Sequence, residues 1–226
     1  MAAVLLIGAC AAPPQLGLEA PGRPAVTWHG AEGEAEAPAA GDGEDRLLAD
    51  VQAAERSGPD TLALAQALYN LAILRRRQGE LEDAAQLYQR ALAIRERKQG
   101  PEHPDVAATL NNLAGIEAAQ GHYDDAQQLL ERAVRIREAT LGPAHTLTAQ
   151  SLSNLALLYA AQGNAAAAEP LYQRSLAILE QAETTESGDL VRVLDNYAAL
   201  LRDTGRDAEA EEIEARARVR RPPAAP

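Results

Sequence analysis

Leu68-Tyr69-Asn70-Leu71-Ala72 returns as Leu110-Asn111-Asn112-Leu113-Ala114, as Leu152-Ser153-Asn154-Leu155-Ala156 and as Leu194-Asp195-Asn196-Tyr197-Ala198, each time after 42 residues. The same step joins Gly79, Gly121, Gly163 and Gly205. It joins Ala84, Ala126, Ala168 and Ala210, and also Arg90, Arg132, Arg174 and Arg216. Residues 61–102 and 103–144 agree at roughly 18 of 42 positions without a gap. Self-similarity at a fixed period marks tandem duplication of one supersecondary unit.

Each unit reads as two helices. Leu68, Leu71, Ala72 and Arg75 fall at i, i+3, i+4 and i+7, one face of a helix. Gly79 ends that helix, as a glycine just past a C-terminus commonly does. Ala84, Leu87, Ala91 and Ile94 form one face of a second helix, which Gly100-Pro101 stops. Ala72 and Ala84 are short enough to let the two helices approach closely. A lone hairpin of this kind cannot bury its apolar face, so neighbours must stack.

Composition agrees. Hydrophobic residues are 46% of the 226, yet aromatics are 3% and Phe is absent. That is poor material for a large β-sheet and good material for helix. A net charge of −12 disfavours nucleic acid and anionic lipid surfaces. One cysteine excludes an internal disulfide and a Cys-rich zinc site.

The units resemble the tetratricopeptide repeat, in the 42-residue form found in kinesin light chains and many bacterial proteins. The residues that carry the resemblance are Leu68-x-Asn70-Leu71-Ala72, Gln78-Gly79, Asp83-Ala84, Arg90-Ala91-Leu92-x-Ile94 and Gly100-Pro101-x-His103-Pro104. The second unit ends Gly142-Pro143-x-His145; the third has lost this loop. The resemblance implies an all-α, right-handed α-solenoid of about three and a half to four repeats. The units run 61–102, 103–144, 145–186 and 187–221, within a repeat domain of 58–221. Residues 44–57 are expected to form a capping helix, the remnant second helix of an earlier unit. Glu214 and Arg220 replace apolar positions and give the last helix a polar outer face.

In this family the first helices line a concave groove that binds a protein or extended peptide. The face beside the packing face supplies Gln66, Tyr69, Asn70, Ile73, Arg76 and Arg77 in the first unit. It supplies Ala108, Asn111, Asn112, Gly115 and Ala118 in the second, and Gln150, Ser153, Asn154, Leu157 and Ala160 in the third. Arg192, Asp195, Asn196, Ala199 and Arg202 follow in the fourth. Asn ranks low in helix propensity, yet Asn70, Asn112, Asn154 and Asn196 sit mid-helix in register. Two roles fit: contacts to the backbone of a bound peptide, which the resemblance to kinesin light chains implies, or bonds between neighbouring helices. Arg76, Arg77, Arg192 and Arg202 either make the groove mouths basic or pair with nearby carboxylates. The lysine clamp of chaperone-tail receptors is missing, since Lys98 is the only lysine.

Nothing points to catalysis, a metal, a cofactor, nucleic acid or a small-molecule substrate. His103 and His145 belong to the repeat loop, no His-x-x-x-His pair occurs, and no glycine-rich phosphate loop is present. Leu6-Ile7-Gly8-Ala9-Cys10 resembles a bacterial lipobox, with Cys10 the residue that would carry lipid. Residues 1–10 thus read as a lipoprotein signal lacking its basic n-region, which a start further upstream would supply; the plainer reading is a short apolar leader with a buried or idle thiol. Residues 11–43, rich in Pro, Gly, Ala and Glu, are expected to be a disordered spacer, and 222–226 a disordered tail. Trp28 is the only tryptophan. It is either an idle linker residue or a self-ligand docked in the groove of its own chain or a neighbour's, for which the family's preference for aromatic-plus-acidic peptides gives the motive.

The expected function is therefore a noncatalytic interaction scaffold, lipid-anchored in a bacterial envelope at the outer membrane or periplasmic face. The alternatives are a structural assembly subunit working through its convex face or ends, and a cytoplasmic regulator without an anchor.

Overall fold

A computed structural model describes Trp28, residues 42–182 and residues 188–221. The lipobox segment with Cys10, the spacer apart from Trp28 and residues 42–43, and the 222–226 tail lie outside the described residues.

Nine helices follow one another among those described: α1 (Asp42–Ser57), α2 (Leu62–Arg77), α3 (Leu81–Gln99), α4 (Pro104–Ala119), α5 (Tyr123–Thr140), α6 (Thr146–Ala161), α7 (Ala165–Gln181), α8 (Gly188–Asp203) and α9 (Asp207–Arg220). They pair as the repeat dictates: α2 with α3, α4 with α5, α6 with α7, α8 with α9. Each hairpin then stacks on the next, and the first helices also touch, α4 with α6 and α6 with α8.

The hairpins close where side chains are shortest. Ala72, Ala84, Ala114, Ala126, Ala156, Ala168, Ala198 and Ala210 are all fully buried. Leu68, Leu110, Leu152 and Leu194 fill the space between hairpins and are at most 1% exposed. Each such leucine contributes roughly 1.5–3 kcal/mol through burial. Between paired helices the chain turns at Gly79, Gly121, Gly163 and Gly205, with φ of 82°, 85°, 75° and 75°. Residues with a Cβ rarely adopt that conformation.

The loop histidines cap helices. The Nδ1 atoms of His103 and His145 accept from the backbone N–H groups of Asp105 and Leu147, each at 3.1 Å. Thr61 does the same for α2 through Oγ1, to Leu64 N–H at 3.1 Å. His103→Ala removes such a cap and is expected to cost about 1 kcal/mol of stability. A denaturant titration checks this; His103→Asn, which can still cap, should recover most of it.

The recurrent arginine is the rung of an ion-pair ladder along the second helices. Arg90 meets Glu55 at 2.9 Å, Arg132 meets Glu96 at 2.6 Å and Arg174 meets Glu138 at 2.7 Å. Arg216 pairs with Glu180. Each arginine thus reaches back to the second helix of the preceding unit. The first rung ends on α1, which therefore occupies the slot of a second helix. Such exposed pairs contribute at most ~1 kcal/mol each, so they trim the register rather than hold the stack.

At the far end α9 buries only Ala210 and Ala217. Glu214 stands at the repeat position of buried Tyr88, Leu130 and Tyr172. Among the described residues no hairpin covers it, and its carboxylate bonds Arg202 Nε at 2.8 Å. At α1 the helix begins two residues before the expected boundary of 44.

Candidate functional site

The first helices α2, α4, α6 and α8 converge on one cavity of about 260 Å³. Four successive helices can border one cavity only if the face they form curves inward. Arg76 comes from α2; Gly115, Ile116 and Ala119 from α4; Leu157, Ala160 and Ala161 from α6; Asn196, Ala199, Leu200 and Asp203 from α8. Leu81 closes one side from α3, Tyr172 forms part of the wall from α7, and Trp28 lies against it from outside the repeats.

The positions obey the repeat. Gly115, Leu157 and Ala199 are equivalent, as are Ala119, Ala161 and Asp203, one turn further along each helix. The sequence-derived groove includes Arg76, Gly115, Leu157, Ala160, Asn196 and Ala199. It includes Ala118, Ala160 and Arg202 in the last turns but omits the residue after each, so Ala119, Ala161 and Asp203 are missed. The same four-residue step continued once more along each helix reaches them. Leu81 and Tyr172 belong to second helices and carry no groove signal in the sequence.

The asparagine row divides. Asn112 is 1% exposed, and its Nδ2 donates to the Tyr69 hydroxyl at 2.8 Å. Asn154, equally buried, donates to Asn111 Oδ1 at 3.4 Å. Asn111 in turn donates to Ser151 Oγ at 2.7 Å and to the Ala107 carbonyl at 3.1 Å. These amides bridge the first helices of adjacent units, where an apolar contact would leave polar groups unpaired. Of the row only Asn196 borders the cavity. Asn70 accepts from Gln66 Nε2 at 2.8 Å on the surface of α2. Asn112, Asn154, Asn111 and Tyr69 are thus placed within the stack rather than on the groove wall. Gln150 donates to Asp189 at 2.7 Å. Ile73 is half-buried on α2.

The arginines divide as well. Arg192 pairs with Asp189, three residues before it on α8. Arg202 bonds both oxygens of Glu214, at 2.8 and 3.0 Å, and lies 3.4 Å from Asp207. These pairs account for the charge at the C-terminal mouth. Arg76 faces the cavity, and Arg77 is exposed at the end of α2.

A buried polar cluster behind the groove has no counterpart in the sequence reading. Arg95, 4% exposed, donates to Thr109 Oγ1 at 2.7 Å, to the Asp105 carbonyl at 3.0 Å and to Gln66 Oε1 at 2.9 Å. Its guanidinium lies 4.5 Å from the centre of the Tyr69 ring. Burial lowers its pKa from the ordinary arginine value. Its repeat equivalent Arg137 is 2% exposed and donates to the Leu147 carbonyl. The signal was available: arginine at a 42-residue step on an otherwise apolar face.

Among the described residues no group of three or more His, Cys, Asp or Glu could hold a metal ion. In the same range no helix is long and apolar enough to cross a membrane.

Stacked helix hairpins around a shared groove define a helical-repeat scaffold, a class that presents surface for other proteins. The chain belongs to the tetratricopeptide repeat family, whose family model matches residues 51–97, 63–139, 105–181 and 147–218. Similar solved structures include BtubC (BKLC) from P. vanneervenii, with 26% identity, a TM-score of 0.69 and coverage of 79% of this chain and 72% of that one. They also include a kinesin-light-chain-like protein of Podosopora anserina with nearly identical tetratricopeptide-like repeats. Its identity is 24%, its TM-score 0.64, and coverage is 79% of this chain and 85% of that one. A substituted form of that protein gives a TM-score of 0.65 at the same identity and coverage. No curated protein matches the chain. In general terms the repeats make this a protein–protein interaction scaffold, of a fold that is typically noncatalytic.

Proposed function

We propose that the protein captures a segment of a partner protein in the groove formed by α2, α4, α6 and α8. The cavity of about 260 Å³ carries this reading. Its walls are mainly small or aliphatic, with Arg76, Asn196 and Asp203 as the polar groups that would orient a ligand. The Tyr172 hydroxyl is buried and has no hydrogen-bond partner among the described residues. An incoming carbonyl or carboxylate would satisfy it. Side-chain selection falls to Leu157, Ala160 and the cavity walls, and the buried asparagines fix the spacing of the helices that form them. Tethering through lipid on Cys10 to a bacterial envelope membrane is part of this proposal, supported by the lipobox pattern.

The test is affinity capture from envelope extract with the protein and with an Ala119→Arg, Ala160→Arg variant. Arginine has helix propensity close to alanine, so helicity should be unchanged while two long charged side chains fill the groove. A partner is expected to be lost at least tenfold from the variant. Equal capture by both would move the interaction to the convex face or the ends. Incorporation of labelled fatty acid, abolished by Cys10→Ser, checks the anchor.

A further inference from the structure

We propose that the groove contains a subsite for an indole ring, floored by Gly115, and that its resident ligand is Trp28 of the same chain. The inference rests on the groove being the binding face and adds what occupies it before a partner arrives.

The floor of the groove at successive 42-residue steps reads Ile73, Gly115, Leu157 and Ala199. The one member without a side chain is where the indole lies. A Cβ on residue 115 would stand 2.9 Å from Trp28 Nε1, 3.0 Å from Cε2 and 3.3 Å from Cδ1. Non-bonded carbons are most comfortable at about 3.5–4.0 Å, so any side chain here competes with the ring. The backbone gives no other reason for glycine: residue 115 lies inside α4 and is absent from the positive-φ glycines. Glycine is the poorest interior helix residue after proline. Its presence costs α4 helical stability, and the indole uses the space it leaves.

Trp28 also packs against the apolar core of the second to fourth units. Its indole N–H is buried and finds no acceptor among the described residues. A buried donor without a partner is unfavourable, so the resident is exchangeable. The ligand class that displaces it is an extended protein segment that brings an aromatic ring, best an indole, together with hydrogen-bond acceptors for the Tyr172 hydroxyl and the polar wall. The remaining cavity beside the ring is room for that segment's next side chain. Attachment in the same chain raises the local concentration of Trp28, so self-occupancy sets a threshold that a partner must exceed.

Trp28 is the only tryptophan, so its fluorescence reports the subsite directly. In the full chain its emission is expected to be blue-shifted and protected from acrylamide. Gly115→Leu should shift it to that of hydrated indole and raise quenching several-fold. Helicity should be kept and the thermal midpoint should be equal or higher, because leucine is the better helix former. Blue-shifted emission that ignores Gly115→Leu, or wild-type emission already that of free indole, would overturn the assignment. Dilution separates the two possible sources of the ring. Constant emission supports the same chain; a red shift on dilution means a second copy and overturns the intramolecular assignment.

A peptide of residues 22–34 added to Trp28→Ala protein supplies the second readout. It should bind, bind at least tenfold more weakly to wild type, and fail to bind once its own tryptophan is alanine; equal binding to both proteins would count against self-occupancy. Partner capture that needs the groove while Trp28 stays hydrated would leave the proposed function standing and remove only the self-ligand. A shielded Trp28 with capture indifferent to groove substitution would do the reverse.

Discussion

Arg95→Ala is expected to lower stability by about 3 kcal/mol, far more than removal of any surface arginine. The guanidinium is 4% exposed and serves Thr109, Gln66 and the Asp105 carbonyl, with the Tyr69 ring stacked beneath it. Truncation leaves those acceptors short of a donor and opens a void beside Tyr69. The damage should spread to the next unit, because the Tyr69 hydroxyl is the acceptor for Asn112. The chain supplies its own control. The repeat position of Arg95 and Arg137 is occupied in the third unit by Leu179, which is 2% exposed. Arg95→Leu should therefore cost less than Arg95→Ala, since it keeps volume and asks for no partners. Urea midpoints of both variants decide the matter. An Arg95→Ala protein as stable as wild type would mean that the buried network contributes nothing net. Repeat arrays need not unfold in one step, so helicity and Trp28 emission should be followed together.

Alkali is expected to unfold the protein before its arginines lose charge. Tyr69 is 4% exposed, and burial pushes its hydroxyl up to about 12. Arg95 pulls the other way but does not overcome burial. Tyr172 is fully buried, and burial raises it further. In the unfolded chain both hydroxyls ionise near pH ~10. The folded state holds its protons to higher pH than the unfolded state does. Stability is therefore fully present below pH ~10 and falls as pH rises through the folded values, by up to about 1.4 kcal/mol per pH unit for each tyrosine. Tyr69 alone accounts for roughly 2–3 kcal/mol by pH ~12. Thermal midpoints should stay flat from neutral pH to about 9 and then drop steeply, with tyrosinate absorbance appearing together with loss of helix. Two buried tyrosines ionising near pH ~10 in a still-helical protein would contradict this. Tyr172→Phe should blunt the alkaline loss at little cost near neutrality, since that hydroxyl has no partner among the described residues.

On the acid side the exposed pairs act in the opposite sense and weakly. Hydrogen bonds from Arg97 and Lys98 hold Asp60 below its ordinary value; Arg206 and Arg202 do the same for Glu209 and Glu214. Their contribution is present above the ordinary carboxylate range and is lost as pH falls through it.

The repeat was legible because it is a covalent regularity. Gly79 and its three equivalents need a left-handed turn, and Ala72 and Ala84 need a close approach; both demands are local, so each residue carries its own evidence. The groove was legible only in part. Helical periodicity names the face of α4 that holds Gly115, but it cannot tell how far along the face a neighbouring helix covers it. That is why Asn112 and Asn154 turn out to lie between helices, while Ala119, Ala161 and Asp203 lie on the cavity. Asn112 and Ala119, like Asn154 and Ala161, stand seven residues apart, about two helical turns, and where the cover ends is fixed by how tightly successive hairpins pack.

By itself the sequence determined the fold class, the unit length and the scaffold character, because each follows from residues at fixed spacing on one chain. Tertiary structure decided the rest. It turned the recurrent arginines into an inter-repeat ladder and buried Arg95 and Arg137 as donors to neighbouring helices. It also placed Trp28 against Gly115, 87 residues away in the chain. These are relations between segments far apart in sequence. Their energies come from burial and partner geometry, which exist only once the hairpins have stacked.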